Sequence, residues 1–246
     1  MSQSVAAIIC AAGASSRFGG KRKKAFVDVA GRAVFLRTVE IFANRDDVKQ
    51  VLLGISSEDE ELVNIKWGPN LKFYDTTIFL GGDERFDTVN KGIELVKDDI
   101  DFIAVHDACR CCVTPELIDK VIATAAEKGA AIPACPVTAT IKEAQDNTIT
   151  RTVDRENLYE AQTPQVVAVE LLKKAYENLK NLDQSKISDD AQLVEALGQK
   201  VTIVEADSSN IKITRQSDIA IAEAILKFRP KLMPKGPVGP YSEAQW

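Results

Sequence analysis

The sequence has few cysteines and only one histidine. Its five cysteines, at positions 10, 109, 111, 112 and 135, are odd in number and not spread as a disulfide framework. A chain of 246 residues buries enough surface to need no such staples. Structural zinc needs two paired knuckles, and the cluster from Cys109 to Cys112 has no second cluster to pair with, so these cysteines are expected as small buried residues. Positive charge is not in excess: 31 Lys and Arg stand against 36 Asp and Glu, a net charge of −5. No global positive field exists to hold a polyanion, which excludes a nonspecific nucleic-acid or anionic-membrane binder. The apolar stretch from Val5 to Ala12 is far too short to cross a bilayer. The N-terminus also lacks the plan of a signal peptide, so the expected location is the cytoplasm. What remains is an ordinary globular composition, 45% hydrophobic and 27% charged, which excludes disorder and fibres.

Apolar runs and helical spacings alternate along the chain. Val5 to Ala12 reads as a buried strand that stops at Gly13, and Gly13 to Lys24 as a loop. Phe35, Val39 and Phe42 recur at helical spacing. Gln50 to Ile55 is a strand, and Leu71 to Tyr74 is expected as another. Glu84 to Val96 is helical, and Phe102 to Val105 is a strand running into His106 and Asp107. Thr114-Pro115 opens a helix: Thr accepts from free backbone donors, and Pro suits the first helical position. Leu117, Ile118, Val121 and Ile122 supply its buried face, and Ala130 to Ala134 is the next strand. Helices return over 169–179 and 189–197, strands over 201–205 and 211–213, and Ile221, Ile225 and Phe228 mark a last helix.

This alternation predicts an α/β fold, Rossmann-like, with a mostly parallel twisted sheet flanked by helices. Residues 137–159 break the pattern. They are rich in Thr, Val and Ile, with a turn signal at Asp146-Asn147, and read as a protruding antiparallel β-arm. Residues 1–229 are expected as one domain. Residues 230–246 hold four of the nine prolines and two glycines, a tail that forms neither helix nor central strand.

The loop after the first strand carries the most chemistry. Gly13 lets the backbone turn sharply, and small residues at Ala14, Ser15 and Ser16 leave N–H groups uncovered to face an anion. Five cations follow between Arg17 and Lys24 on a chain that is acidic overall, a concentration suited to a triphosphate. A P-loop is excluded because the lysine after Gly20 precedes Arg22, and a dinucleotide fingerprint fails at Ser15.

With the segments Ala11-Ala12-Gly13…Arg17, Lys24, Gly81 to Arg85…Thr88-Val89, Val105 to Ala108…Arg110, Thr152 to Arg155, Gln162 to Gln165 and Asn210 to Thr214, the chain resembles the 2-C-methyl-D-erythritol 4-phosphate cytidylyltransferase family. That family has a nucleotide-diphosphosugar-transferase fold and belongs to the non-mevalonate isoprenoid pathway. The matches run in the family's order from Ala11 to Thr214. The sequence departs from the family at Cys10, Ser15, Cys109 and Cys111, without losing a charged group.

The resemblance implies a donor, CTP, and an acceptor, a polyol phosphate. It places the nucleotide at Ala11, Ala12, Gly13, Ala14, Gly82, Asp83, Thr88 and Ala108. It places the acceptor at Asp107, Thr140, Arg155, Thr163 and Lys212. Arg17, Lys24, Arg155 and Lys212 are then the catalytic cations, and Asp107 serves Mg²⁺ directly or through water. His106 is expected to be structural, because a phosphate monoester is already an anion and needs no base. Arg110 is open between a structural ion pair and a site role. In relatives the arm crosses to a second subunit, which implies a homodimer with shared sites. A ribitol-5-phosphate cytidylyltransferase shares the donor half and stays open as an alternative; the Ala-Ala-Gly start and the Val-His-Asp-Ala segment favour methylerythritol phosphate. A catalytically silent nucleotide-binding protein is the third reading, and the presence of every expected charged residue argues against it.

Overall fold

The computed structural model describes residues 3–15, 18–19 and 23–229. Arg17 and the tail 230–246 lie outside these described residues. Strand β1 (Val5–Cys10) is followed by the loop, a short ladder of β2 (Asp28–Val29) and β3 (Arg32–Ala33), and helix α1 (Val34–Ala43). Then come β4 (Val48–Ile55), α2 (Glu60–Phe73), β5 (Thr76–Leu80), α3 (Arg85–Ile93) and β6 (Phe102–Asp107). Helix α4 (Pro115–Lys128) and β7 (Ala130–Pro136) lead into a hairpin of β8 (Ile141–Gln145) and β9 (Thr148–Val153). The chain returns through β10 (Tyr159–Ala161) and β11 (Gln165–Ala168) to α5 (Val169–Glu177), α6 (Asp190–Glu195), β12 (Thr202–Glu205) and α7 (Ser217–Phe228).

Eight strands form the main sheet, in the order β10-β7-β11-β6-β1-β4-β5, with β12 also on β7. β1 lies between β4 and β6 and is parallel to both. Its successive residues point to opposite faces, and both faces are covered: Val5, Ala7 and Ile9 join one core, Ala6 and Ile8 the other. That is why β1 reads as an unbroken apolar run rather than an alternation. Ile8 and Ile9 are fully buried, worth roughly 1.5–3 kcal/mol each. β11 and β10 are the exceptions to the parallel pattern, running antiparallel against β6 and β7. The expected mostly parallel α/β sheet with helices on both faces is what forms.

Several expectations hold with physical detail. The Thr114 hydroxyl accepts from the Leu117 N–H at 3.1 Å, Pro115 stands first in α4, and Ile118, Val121 and Ile122 are buried. Asp146 and Asn147 both take positive φ, 48° and 61°, the backbone that a two-residue hairpin turn requires. The neck of the hairpin is closed by the Val137 N–H donating to the Leu158 carbonyl at 3.0 Å. Tyr159 already belongs to the main sheet.

Two expected strands are absent. Leu71 to Tyr74 is the end of α2, and the strand follows at Thr76–Leu80. Val63, Trp67 and Leu71 bury one face of α2, while Leu62, Ile65, Pro69 and Phe73 are exposed on the other. Apolar residues on both faces erase the helical period, and Pro69 inside the helix hides it further. Residues 211–213 form no strand; Ile213 is buried and its N–H donates to the Cys109 carbonyl at 2.9 Å. The last helix exists, but its buried residue is Ala222; Ile221 and Phe228 are exposed.

Candidate functional site

The carboxyl ends of β1 and β6 and the loop between β5 and α3 enclose one pocket. Open α/β sheets bind ligands at such strand ends. Ala11, Ala12 and Gly13 form one wall, Gly82, Asp83 and Thr88 another, and Lys24, Asp107 and Lys212 reach the same space. Nine of the expected site residues thus meet in one place. Ala14 is exposed and does not line the pocket. Ala108 is fully buried, and its backbone serves the fold: its N–H donates to Cys10, and its carbonyl accepts from the Thr38 hydroxyl at 2.9 Å. Neither residue is part of the pocket lining.

The first wall starts where β1 ends. The Ala11 N–H donates to the Gly54 carbonyl at 2.8 Å, which extends the ladder by one residue before the chain leaves the sheet. The Ser15 hydroxyl accepts from the Lys24 N–H at 3.1 Å and so ties the two ends of the loop together. Lys23 turns away and is held by Asp59 at 2.8 Å and Ser56 at 2.8 Å. It anchors the loop on the turn just before α2, and Lys24 next to it lines the pocket without a carboxylate partner among the described residues.

The second wall is set by space. A Cβ on Gly81 would lie 2.7 Å from the Ala12 Cβ, and one on Gly82 would lie 2.2 Å from the Asp87 Cβ. Only glycine lets this turn press against β1 and α3. The buried Thr88 hydroxyl accepts from the Gly82 N–H at 3.0 Å. Thr88 therefore holds the turn, a role the sequence does not reveal. Glu84 caps α3 and exchanges bonds with Asp87.

The floor is a set of buried charges. The Asp107 carboxylate accepts from Lys212 Nζ at 2.6 Å and from Arg85 Nε at 3.1 Å, with Arg110 Nε at 3.8 Å. Burial pushes the Asp107 carboxyl up, but Arg85, Lys212 and Arg110 outweigh it and hold the group well below the usual carboxylate range. Its backbone is fixed too, the Asp107 N–H donating to Thr163 Oγ1 at 3.1 Å. Thr163 also meets His106 Nδ1 at 3.0 Å. Thr163 is thus a buried brace rather than part of the pocket wall. His106 is fully buried, and burial pushes its pKa down to about 3, so it is neutral. The structural expectation for His106 holds.

Arg110 resolves toward structure. It donates to the Asn210 carbonyl at 2.7 Å, and the Asn210 side chain donates to Gln162 Oε1 at 2.8 Å and the Thr163 carbonyl at 3.0 Å. These bonds fix residues 210–213 without any strand, and so place Lys212 over Asp107. Cys109, Cys111 and Cys112 are buried with Val29, Val34 and Ile213, as expected for small apolar residues.

Sequence reasoning missed Arg85 and Asp190. Arg85 stands in the quoted segment Gly81 to Arg85, yet received no role. It lines the pocket and bridges Asp107 to Asp190, whose Oδ2 lies 2.7 Å from its Nη1. Asp190 carries no local signal, because it reads as an ordinary acidic residue in the first turn of a helix.

Thr140 and Arg155 are on the arm, exposed and not part of the pocket lining. Arg155 donates to the Thr138 carbonyl and so braces the arm's base. Within one chain, Thr140 and Arg155 therefore stand apart from the nine expected residues that line the pocket.

The family model for "2-C-methyl-D-erythritol 4-phosphate cytidylyltransferase" (IspD) matches residues 5–228. A protein of that name from Endomicrobium trichonymphae is 42% identical over 90% of this chain and 98% of its own length. Another from Rhodopirellula baltica is 37% identical over 91% of this chain and 95% of its own. The crystal structure of the Thermus thermophilus enzyme of the same name superposes with a TM-score of 0.74 at 30% identity, covering 92% of this chain and 100% of that one. The 4-diphosphocytidyl-2C-methyl-D-erythritol synthase of Anaerococcus prevotii gives a TM-score of 0.78 at 29% identity, over 92% and 97%.

Proposed function

Because the chain belongs to the 2-C-methyl-D-erythritol 4-phosphate cytidylyltransferase family, we propose that it transfers CMP from CTP to 2-C-methyl-D-erythritol 4-phosphate, releasing pyrophosphate, in the non-mevalonate isoprenoid pathway. The observation that carries the reading is the pocket itself. Lys24 and Lys212 line it together with Ala11, Ala12 and Gly13. An acceptor phosphate oxygen attacks the α-phosphorus in line, the bond to the bridging oxygen of the β-phosphate breaks, and pyrophosphate leaves. No covalent enzyme intermediate is needed. Arg17 and Lys24 stabilise the charge that grows on the phosphates, and Lys212 acts as a point charge beside the reacting centre. Gly82, Asp83 and the turn held by Thr88 receive the cytosine and ribose.

Asp107 would hold a divalent cation, Mg²⁺, directly or through water. The Asp107 carboxylate already faces Lys212, Arg85 and Arg110, so such an ion would have to share it with these cations. One carboxylate beside a triphosphate suits an ion that keeps most of its ligands as water and phosphate oxygens. The ion would supply neutralisation of the phosphate charge.

Thr140 and Arg155 would serve an acceptor phosphate bound at a second copy. The arm's strands are exposed, Ile149 at 60%, and a two-stranded hairpin is marginal in water without something to pack on. A homodimer in which each arm completes the neighbour's site supplies that surface. Five free thiols suit a reducing compartment, which supports the cytoplasm. Among the described residues no helix is long and apolar enough to cross a membrane.

The test is pyrophosphate release with CTP and either methylerythritol phosphate or ribitol 5-phosphate, run side by side with CTP calorimetry. Turnover with methylerythritol phosphate is expected to exceed that with ribitol phosphate. The reverse order assigns the ribitol enzyme, and CTP binding without turnover on either assigns a silent binder.

A further inference from the structure

The charges beneath the pocket form an alternating chain around two buried carboxylates, Asp107 and Asp190. Asp190, Arg85, Asp107 and Lys212 follow one another at 2.7, 3.1 and 2.6 Å. The far end is built with care. The Asp190 side chain is 1% exposed, and its other oxygen accepts from the Tyr176 hydroxyl at 2.6 Å. Gln165 Oε1 accepts from the Asp190 and Ala191 N–H groups at 3.0 and 2.9 Å, and Gln165 Nε2 donates to Asp189 Oδ2 at 2.9 Å. One side chain of β11 thus docks the first turn of α6, so that Asp190 lies under Arg85.

Fold stability does not account for this chain. Buried ion pairs are often replaceable by apolar side chains without loss, because desolvation cancels the attraction. Arg85 also keeps one donor, Nη2, buried without a partner, a cost a packing residue would avoid. The geometry has a use at the other end. Without Arg85 on Oδ1, the buried Asp107 carboxylate would be held by cations through Oδ2 alone, by Lys212 at 2.6 Å with Arg110 at 3.8 Å. With Arg85 in place, the carboxylate is shared, and its orientation is fixed by a group that cannot leave.

We infer that Arg85 and Asp190 are positioning residues: Asp190 fixes Arg85, and Arg85 fixes the Asp107 carboxylate so that Lys212 is aimed at the transferred phosphate. This rests on the proposed catalytic role of Lys212.

The test is a double-mutant cycle. Arg85→Met, Lys212→Ala and the double variant are compared in kcat, KM for methylerythritol phosphate and CTP affinity, with circular dichroism confirming the fold. Asp190→Asn, of the same shape, serves as a second entry to the same chain if Arg85→Met does not fold. Each single variant of the chain should lose about tenfold or more in kcat, the scale of a misaimed charge, while CTP affinity changes less. In the Lys212→Ala background the same substitution should cost little more, because its effect runs through the missing lysine. Arg85→Lys should restore only part of the activity, since one ammonium cannot span both carboxylates as a guanidinium does. If the losses multiply in the double variant, or if Asp190→Asn turns over as wild type, the inference is overturned. If Lys212→Ala itself has wild-type kcat, the assignment of Lys212 fails instead, and the two failures are distinct.

Discussion

The pocket under Lys212 and the arm carrying Arg155 are the two halves of the proposed site, and they are built in opposite ways. The pocket is over-determined. Thr163, Asn210, Arg110 and Thr88 tie its backbone, glycines at 81 and 82 admit contacts no other residue allows, and its charges are paired underneath. The arm is held by its own ladder, by its neck and by Arg155 on the Thr138 carbonyl. A preorganised half suits the reacting phosphates, where misplacement is costly. A half exposed along both strands needs a surface from elsewhere. In the proposed homodimer, the difference would separate residues that act within the chain from those that serve a neighbour.

The largest effect that would break this division is in the pocket. Lys24→Ala and Arg17→Ala should each lower turnover by more than ~100-fold, the scale for one preorganised charge-stabilising donor. CTP binding, followed by calorimetry, should weaken less, because these cations act most strongly on the transition state. Near-wild-type pyrophosphate release from either variant would remove that residue from the catalytic set.

Next comes a recovery rather than a loss. Arg155→Ala and Lys24→Ala chains, each inactive alone, are exchanged into heterodimers. If Arg155 acts on the neighbour, one of the two sites carries both lesions and the other none. Equal mixing should then restore about a quarter of wild-type activity, since half of the dimers are mixed and each has one intact site. Proven heterodimers without activity would put Arg155 and Lys24 in the same site and end the shared-site reading.

The same contrast explains what the sequence reveals. β1, the start of α4 and the Asp146-Asn147 turn are legible because each depends on local chemistry: an apolar run, a cap and a positive-φ pair. α2 is not, since Leu62, Ile65, Pro69 and Phe73 place apolar residues opposite its buried face. Residues 211–213 look like a strand because they alternate, yet Arg110 and Asn210 hold them by side-chain bonds across about a hundred residues of chain. The Lys23–Asp59 anchor and the Arg85–Asp190 pair are invisible for the same reason. Motifs reveal the residues that face the ligand and say little about those that hold them.

A smaller effect concerns the pocket's brace. His106 is neutral in the fold, its pKa lowered to about 3 by burial, while in the unfolded chain it titrates near ~6.5. As pH falls below that value, the unfolded chain takes up a proton that the fold refuses, so stability drops. The loss from this one group is about 2 kcal/mol between pH 7 and pH 5. Urea unfolding at the two pH values measures it, and His106 is the only histidine, so no other imidazole contributes. A flat profile over that range would mean that His106 is solvated or charged in the fold.

The smallest effect on the fold, and the sharpest contrast, belongs to the arm's tip. Asn147 sits at φ 61°, where a β-branched residue is strained by roughly 1–2 kcal/mol. In the pocket half such strain would reach the core, because Thr88, Thr163, Asn210 and Arg110 tie its backbone to several elements at once. In the arm the strain has a local outlet: β8 and β9 pair only with each other, and their residues are mostly exposed. Asn147→Val should therefore open the hairpin without moving the unfolding midpoint of the main fold by more than about 0.5 kcal/mol. Amide exchange in residues 141–153 should accelerate, while exchange in β1 and β6 stays unchanged. If the arm completes a neighbouring site, KM for the acceptor rises and dimer association weakens, with CTP affinity preserved. A drop of 1–2 kcal/mol in global stability would show instead that the arm shares the core's cooperativity, and that the two halves of the molecule are not built in opposite ways.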